Sequence, residues 1–120
     1  MKKLVFLALF GFASCAFAGI AEEMDAKCEA GDYQACTELG MKYFRGQDGL
    51  PKDYDKAHSY YDKTCNIAKW AEACYRDGIF HSVLDGKWHN HDRAMLSLQM
   101  ACDQGHEKAC SMRERIAHDK

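Results

Sequence analysis

The fold of this chain is decided by residues 33–65, which read YQACTELGMKYFRGQDGLPKDYDKAHSYYDKTC. Cys36, Leu39 and Tyr43 follow one another at the three- or four-residue spacing that places side chains on one face of a helix. A face of this kind is buried against a neighbouring element. The pattern predicts a helix from Tyr33 to Phe44.

A turn and a second helix complete this stretch. Residues 46–51 contain two glycines and the only proline of the chain, a composition that is typical of a turn. Ala57 and Tyr61 then lie at helical spacing, which predicts a second helix from Tyr54 to Cys65. Asp53 precedes that helix, and its carboxylate can accept hydrogen bonds from the free N–H groups of the first turn. The stretch is therefore a helix-turn-helix unit.

The unit recurs along the chain. An offset of 37 residues superimposes Cys28 on Cys65, and Cys65 on Cys102. The dipeptide Ala-Cys repeats at steps of 38 and 36 residues, which places a one-residue insertion between Asn66 and Trp70. Periods of this length are typical of stacked repeats, whereas an ordinary bundle would leave the recurrence of Ala35-Cys36, Ala73-Cys74 and Ala109-Cys110 to coincidence. We predict an all-α solenoid of about two helix-turn-helix units with a half unit at each end.

The cysteine content predicts disulfides. Seven cysteines are present, and removal or lipidation of Cys15 leaves six, an even number in a chain bound for an oxidising compartment. Metal binding is the other common use of so many cysteines, but no Cys-x-x-Cys spacing occurs. Six cysteines allow fifteen pairings. The repeat favours one of them, in which Cys28 bonds to Cys36, Cys65 to Cys74, and Cys102 to Cys110.

This pairing requires the chain to reverse between the two cysteines of each pair. Residues eight apart in one helix are separated by about 12 Å along its axis, whereas bridged Cα atoms lie within roughly 7 Å. Residues 29–32 and 103–106 each contain a glycine that suits such a reversal. We expect each disulfide to connect the second helix of one unit to the first helix of the next.

The first eighteen residues have the features of a secretory signal peptide. Lys2-Lys3 forms a basic start, residues 4–13 are an apolar run, and Ala16-Phe17-Ala18 has the small-x-small pattern of a cleavage site. We expect cleavage after residue 18, which leaves residues 19–120 as the repeat domain. The apolar run is too short to cross a bilayer, which takes roughly 20 apolar residues.

A lipoprotein signal is the alternative reading of the same segment. Residues 12–15 resemble the sequence in which a cysteine is acylated and becomes the mature N-terminus, here Cys15. Both readings predict export. The exported chain keeps 14 basic and 18 acidic residues, a formal net charge of −4, and this charge disfavours nucleic acid as a partner.

The repeat motif resembles a known family. Ala35-Cys36-x-x-Leu39-Gly40-x-x-Tyr43, followed by Lys52-Asp53-x-x-Lys56-Ala57-x-x-Tyr60-Tyr61-x-Lys63-x-Cys65, resembles a Sel1-like repeat. It is similar to the repeats of the Helicobacter cysteine-rich proteins. The resemblance implies a right-handed solenoid akin to tetratricopeptide repeats, with the first helix of each unit on a concave surface, one disulfide per unit, and secretion.

The resemblance also implies two different functions. Sel1-like repeats in general are adaptors in protein assemblies, whereas the cysteine-rich proteins are often called β-lactamases or penicillin-binding proteins. A serine β-lactamase needs a lysine three residues after its nucleophile. None of the mature serines has one, since Ser59, Ser82, Ser97 and Ser111 are followed at that spacing by Asp62, Asp85, Met100 and Glu114.

Two further patterns contain the residue types of hydrolase sites. His89-Asn90-His91-Asp92 contains metal-binding residue types, but its spacing differs from that of metal-dependent hydrolases, and the repeat makes it the turn and cap before a helix. Asp77, His81 and Ser82 are the residue types of a catalytic triad, yet successive helix positions point about 100° apart, so His81 cannot readily reach Ser82. We predict no metal and no cofactor.

The second unit differs from the first at two positions that are apolar in the first unit. Asp77 and His81 occupy the places that Leu39 and Tyr43 hold in the first unit, so a polar pair replaces an apolar one. The pair is either a hydrogen-bonded pair at a looser boundary between units or a patch that contacts a ligand. We expect an exported binding or scaffolding module for a protein or cell-wall ligand, and the alternative is a β-lactam-hydrolysing or penicillin-binding protein.

Overall fold

The computed structural model describes residues 19–118, which form six α-helices and one 3₁₀ turn. The helices are α1 (Gly19–Glu29), α2 (Tyr33–Arg45), α3 (Tyr54–Asn66), α4 (Ala71–Val83), α5 (His91–Asp103) and α6 (Glu107–Ala117), and the 3₁₀ turn is Gly86–Trp88. This confirms the all-α prediction. None of these helices is long and apolar enough to cross a membrane. The predicted signal peptide and Cys15 lie outside the described residues.

Short polar side chains define where the helices begin. Asp53 accepts a hydrogen bond from the backbone N–H of Lys56 at the start of α3, and Asn90 accepts the equivalent bond from Arg93 at the start of α5. Both predicted caps are confirmed. The predicted helices of the first unit agree with α2 and α3 to within one residue at their ends, because these boundaries depend on local sequence.

The helices pack as a stack of pairs. Helices α2 and α3 form one unit and α4 and α5 form the next, while α1 and α6 are the flanking half units. The first helices of successive units, α2 with α4 and α4 with α6, contact one another more than the second helices do. The stack therefore curves toward its first helices, which line its inner surface.

The apolar interior is divided between the units. One cluster is formed by Leu39, Tyr43, Ala57, Tyr61 and Phe80, and the other contains Cys65, Ala73, Cys74, Ala94, Leu98, Ala101, Ala109 and Ile116. Each cluster joins one unit to its neighbour, as in other stacked-repeat proteins. The interfaces are thin because small residues, alanine above all, fill many of the buried positions.

Two glycines let the helices of each unit approach closely. A Cβ atom at Gly40 would lie 2.7 Å from the ring of Tyr61, and one at Gly78 would lie 2.5 Å from Cγ of Leu98. The two glycines occupy equivalent places in α2 and α4. The missing side chain weakens the helix itself but makes room for the second helix of the unit.

Three disulfides join the units: Cys28–Cys36, Cys65–Cys74 and Cys102–Cys110. Each connects a second helix to the following first helix, with Cα atoms 4.6–4.7 Å apart. Gly31 and Gly105 have positive φ angles at the outer two reversals. In the middle reversal, which carries the inserted residue, Lys69 takes the left-handed conformation with φ 58°.

Candidate functional site

A groove lies between α2 and α4 on the inner surface of the stack. It encloses about 420 Å³ and is lined by Gln34, Thr37, Glu38, Met41, Trp70, Glu72 and Arg76. All of these residues except Trp70, which directly precedes α4, belong to first helices. We call this surface the inner groove.

One wall of the inner groove is held by a polar network. The guanidinium of Arg76 donates to the carboxylate of Glu72 at 2.9 Å, and Nε2 of His106 lies 2.8 Å from the other oxygen of that carboxylate. Burial would raise the pKa of Glu72, but the hydrogen bonds with His106 and Arg76 and their charges outweigh it and lower the pKa. Glu72 is therefore an anchored carboxylate that keeps Arg76 at the edge of the groove.

Apolar side chains form the floor of the inner groove. Met41 also lines an adjoining cavity of about 180 Å³, together with Phe44, Tyr61, Ile79 and Phe80. Trp70 is 39% exposed and packs against the ring of Tyr33, with centroids 5.9 Å apart. An exposed aromatic ring beside a flexible methionine, with charged residues around them, is typical of surfaces that bind other proteins.

On the other side of α4 lies a buried polar cluster centred on Asp77. The Asp77 side chain is fully buried, and its Oδ2 accepts hydrogen bonds from the hydroxyl of Ser97 at 2.5 Å and from Nε of Arg93 at 3.1 Å. Arg93 also forms an ion pair with Asp62 on α3. Arg93 on α5 thus connects Asp62 on α3 with the buried carboxylate of Asp77 on α4.

The remaining oxygen of Asp77 faces two histidines. Oδ1 of Asp77 lies 3.5 Å from Nε2 of His81, and neither atom has a hydrogen-bond partner among the described residues. His58 on α3 packs against the His81 ring, with centroids 5.1 Å apart. One potential ligand atom from each of His58, Asp77 and His81 lies within 4.8 Å of the other two.

The surroundings shift the pKa values of all three groups. Burial would raise the pKa of Asp77, but its interactions with His81 and Ser97 and the charge of Arg93 lower it. Burial would lower the pKa of His81, yet Asp77 and the carbonyl of Trp88 raise it. For His58, burial and the neighbouring His81 lower the pKa. Asp77 is therefore a carboxylate at neutral pH.

The structure places the predicted ligand patch, Asp77 and His81, in the interior. His81 is only 6% exposed, and neither residue lines the inner groove. Ser82 does not join them, since its hydroxyl donates to the carbonyl of Ile79 at 3.1 Å. The triad reading has no geometric support.

The segment from His89 to Asp92 is the turn and cap that the repeat predicts. His89, Asn90 and Asp92 are exposed, and Nδ1 of His89 lies 3.2 Å from the carbonyl oxygen of Leu84. Among the serines of residues 19–118, Ser97 is buried against Asp77. Residues 89–92 thus form a turn and a helix cap, and Ser97 donates a hydrogen bond inside the protein.

The sequence reasoning missed His58 and Arg93. Both stand on second helices, at the places that Met95 and Lys56 hold at the repeat offset of 37 residues. The sequence carries a signal for His58, which is polar where the second unit has the apolar Met95, but none for Arg93, which stands where the first unit has another basic residue, Lys56. Asp77 and His81 stand out in the sequence because they lie four residues apart in one helix, whereas His58 and Arg93 lie in two other helices.

Comparison with known families agrees with this architecture. A family model described as Sel1 repeat matches residues 34–66 and residues 71–106. The two matched segments correspond to the units α2–α3 and α4–α5 and together cover more than half of the chain's 120 residues. Comparisons with curated proteins and with solved structures gave no match. The similarity to the Helicobacter cysteine-rich proteins thus rests on the sequence motifs alone. The chain belongs to the Sel1 repeat family.

Proposed function

We propose that the protein is an exported binding module that holds a segment of another protein in the inner groove. The single observation that supports this most is the combination of exposed Trp70 and half-buried Met41 with charged residues around them. Sel1 repeats commonly mediate protein interactions, so this use of the surface agrees with the family.

The groove suggests the chemistry of its partner. Glu38 and Glu72 carry negative charge and Arg76 carries positive charge, so the rim has no single sign. A polyanion would meet repulsion there, whereas a peptide segment with one apolar anchor and polar flanks would match both floor and rim. Arg76 is held by Glu72, which lowers the entropy lost when a partner binds.

Export is supported by the cysteines. All six cysteines of residues 19–118 lie in disulfides. Disulfides of this kind persist in oxidising compartments and are rare in the cytosol. The predicted signal peptide of residues 1–18 agrees with this location, and we propose the cell envelope or the extracellular medium as the site of action.

Site-specific photo-crosslinking tests the binding surface. A photoreactive phenylalanine analogue replaces Glu38 in the groove, or Ser59 on the exposed side of α3 as the matched control. Exported protein is irradiated in its native cells, and adducts are identified by mass spectrometry. We expect one protein adduct from position 38 and none from position 59. Equal labelling at both positions, or adducts with cell-wall fragments only, would contradict a protein partner in the groove.

A further inference from the structure

The sequence motifs alone predict no metal, but the structure brings together three side chains that those motifs do not link, and we propose that His58, Asp77 and His81 form a binding site for one divalent transition-metal ion of the Zn²⁺ class. The three residues come from α3 and α4, so the site lies between the first and second units. It lies apart from the inner groove, and it does not depend on the function proposed for that groove.

The distances suit such an ion. Zn²⁺ binds imidazole nitrogen and carboxylate oxygen at about 2.0–2.2 Å, so two ligand atoms on a tetrahedral ion lie roughly 3.4 Å apart. Oδ1 of Asp77 and Nε2 of His81 are already 3.5 Å apart. The third ligand, His58, lies within 4.8 Å of both and is half-buried at the edge of the cluster. Because 4.8 Å exceeds the roughly 3.4 Å between two ligands of a tetrahedral ion, the His58 side chain has to move toward the other two ligands when the ion binds.

Two buried atoms of this cluster, one from His81 and one from Asp77, have no hydrogen-bond partner among residues 19–118. Nδ1 of His81 lies 2.8 Å from the carbonyl oxygen of Trp88, which can only accept, so Nδ1 carries a proton. In the neutral ring Nε2 is then a bare lone pair, and it faces another bare acceptor, Oδ1 of Asp77. Two buried acceptors that face one another are unfavourable unless a cation or a proton lies between them.

His81 and Asp77 are also held in the way that metal ligands usually are. In metal sites a histidine commonly donates its second ring N–H to a backbone carbonyl, and a carboxylate ligand is itself hydrogen-bonded. His81 makes the first of these contacts with Trp88. Asp77 makes the second, because Ser97 and Arg93 occupy its Oδ2 and leave Oδ1 free.

Charge and enclosure favour a cation. Asp62 and Asp77 contribute two negative charges and Arg93 one positive charge, so the fixed charges of the cluster sum to about −1. Phe80 and Trp88 pack on the ring of His58, with centroids 5.5 and 5.1 Å away. Two imidazoles and one carboxylate are the ligand types that bind zinc and related ions with one position left for water.

Metal titration of the oxidised protein tests the site. Untagged mature protein is freed of metal with a chelator and titrated with Zn²⁺ by calorimetry and with Co²⁺ by visible absorption. We expect one ion per chain, a raised melting temperature, and Co²⁺ bands of a low-symmetry four- or five-coordinate site. Long-range ¹H–¹⁵N spectra should shift for the ring nitrogens of His58 and His81.

Two variants distinguish Zn²⁺ binding at this site from Zn²⁺ binding by other histidines of the chain. His58→Met copies the methionine of the second unit, Met95, and should keep the fold while lowering the Zn²⁺ affinity at least tenfold. His89→Ala, in the exposed turn, is the matched control and should leave affinity unchanged. No saturable binding, unchanged affinity in a folded His58→Met protein, or shifts at His89 and His91 instead would overturn the proposal. Crosslinking in the groove is independent of all three outcomes.

Discussion

At the scale of single residues, Gly78 shows how little space separates the two helices of a unit. An added Cβ would meet Cγ of Leu98 at 2.5 Å and the carbonyl oxygen of Ala94 at 3.3 Å. Leu98 is completely buried and cannot move aside without disturbing the second apolar cluster. The close approach of α4 and α5 thus depends on Gly78, as that of α2 and α3 depends on Gly40.

Gly78→Ala should therefore destabilise the protein, although alanine is the better helix former. Overpacking costs about 1–3 kcal/mol, and the gain in helix propensity returns about 1 kcal/mol, so we expect a net loss of about 1 kcal/mol. Urea denaturation measures it. Gly19→Ala is the control, since a Cβ there meets nothing within 4 Å. A stabilised Gly78→Ala protein would show that α4 and α5 are not in close contact.

Arg93 compensates the buried charge of Asp77. Arg93→Leu leaves the carboxylate with one fixed donor, Ser97, and should cost about 2 kcal/mol of unfolding free energy. Lys56→Leu, at the equivalent place in the first unit, is the control and should cost less, because Lys56 is exposed. The double variant Asp77→Leu/Arg93→Leu should recover much of the loss, since Leu39 holds the equivalent place to Asp77. A double variant that is no more stable than Arg93→Leu would contradict the claim that Arg93 compensates the charge of Asp77.

Asp77 should also make the protein sensitive to acid. Its pKa in the folded state lies below the ordinary value of 3.8. As the pH falls, the unfolded chain therefore takes up the proton first, and the stability contributed by the carboxylate is present above about pH 4 and lost below it. Melting temperatures between pH 5 and pH 2.5 should fall more steeply for the native protein than for Asp77→Asn. An equal fall in melting temperature for the two proteins would contradict this role of the Asp77 carboxylate.

At the scale of helices, the units were predictable because their signals are local. The turn at residues 46–51 and the caps Asp53 and Asn90 act on backbone groups only a few residues away. The buried polar cluster was not predictable in the same way. It needs His58, Asp77 and Arg93 to meet across three helices, and a sequence period does not say which faces of those helices point toward one another.

The junctions between the helices of neighbouring units depend on the disulfides. Replacing Cys65 and Cys74 together by alanine should cost about 2.5 kcal/mol, because the bridge restricts the unfolded chain at that junction. Thermal melting of the variant, and of the native protein with and without reductant, measures the effect. Peptide mapping of non-reduced protein should recover the three bridges described above. A Cys36 to Cys65 link, or an unchanged melting temperature after reduction, would contradict this role.

At the scale of the whole molecule, curvature creates the inner groove. The first helices are close enough to contact one another, so their side chains converge on one surface. A partner would meet residues of α2 and α4 together, and the adjoining surface of α4 and α6, lined by Tyr75, Met112 and Arg115, extends it. Binding energy would then be spread over several units, as in other solenoids.

A binding function predicts little β-lactam hydrolysis. No serine of residues 19–120 is followed by a lysine three residues later, and Ser82 bonds to a backbone carbonyl instead of His81. We expect purified protein to hydrolyse nitrocefin no faster than a buffer control, with or without added Zn²⁺. The variant His81→Ala/His89→Ala/His91→Ala detects any histidine-dependent rate. Robust turnover that survives repurification and disappears in this variant would replace the binding function with hydrolysis.

The position of the disulfides also determines how the molecule responds to a pulling force. Each bridge closes a junction between units, and none closes the turn inside a unit. Tension on the two ends of residues 19–118 would therefore pass through the sulfur atoms at every junction and load the helix pairs between them, together with the outer ends of α1 and α6. The stretches from Cys36 to Cys65 and from Cys74 to Cys102 could lengthen, while the reversals stayed shut. Under tension each unit could therefore unfold by itself, while the disulfides keep the junctions to its neighbours closed.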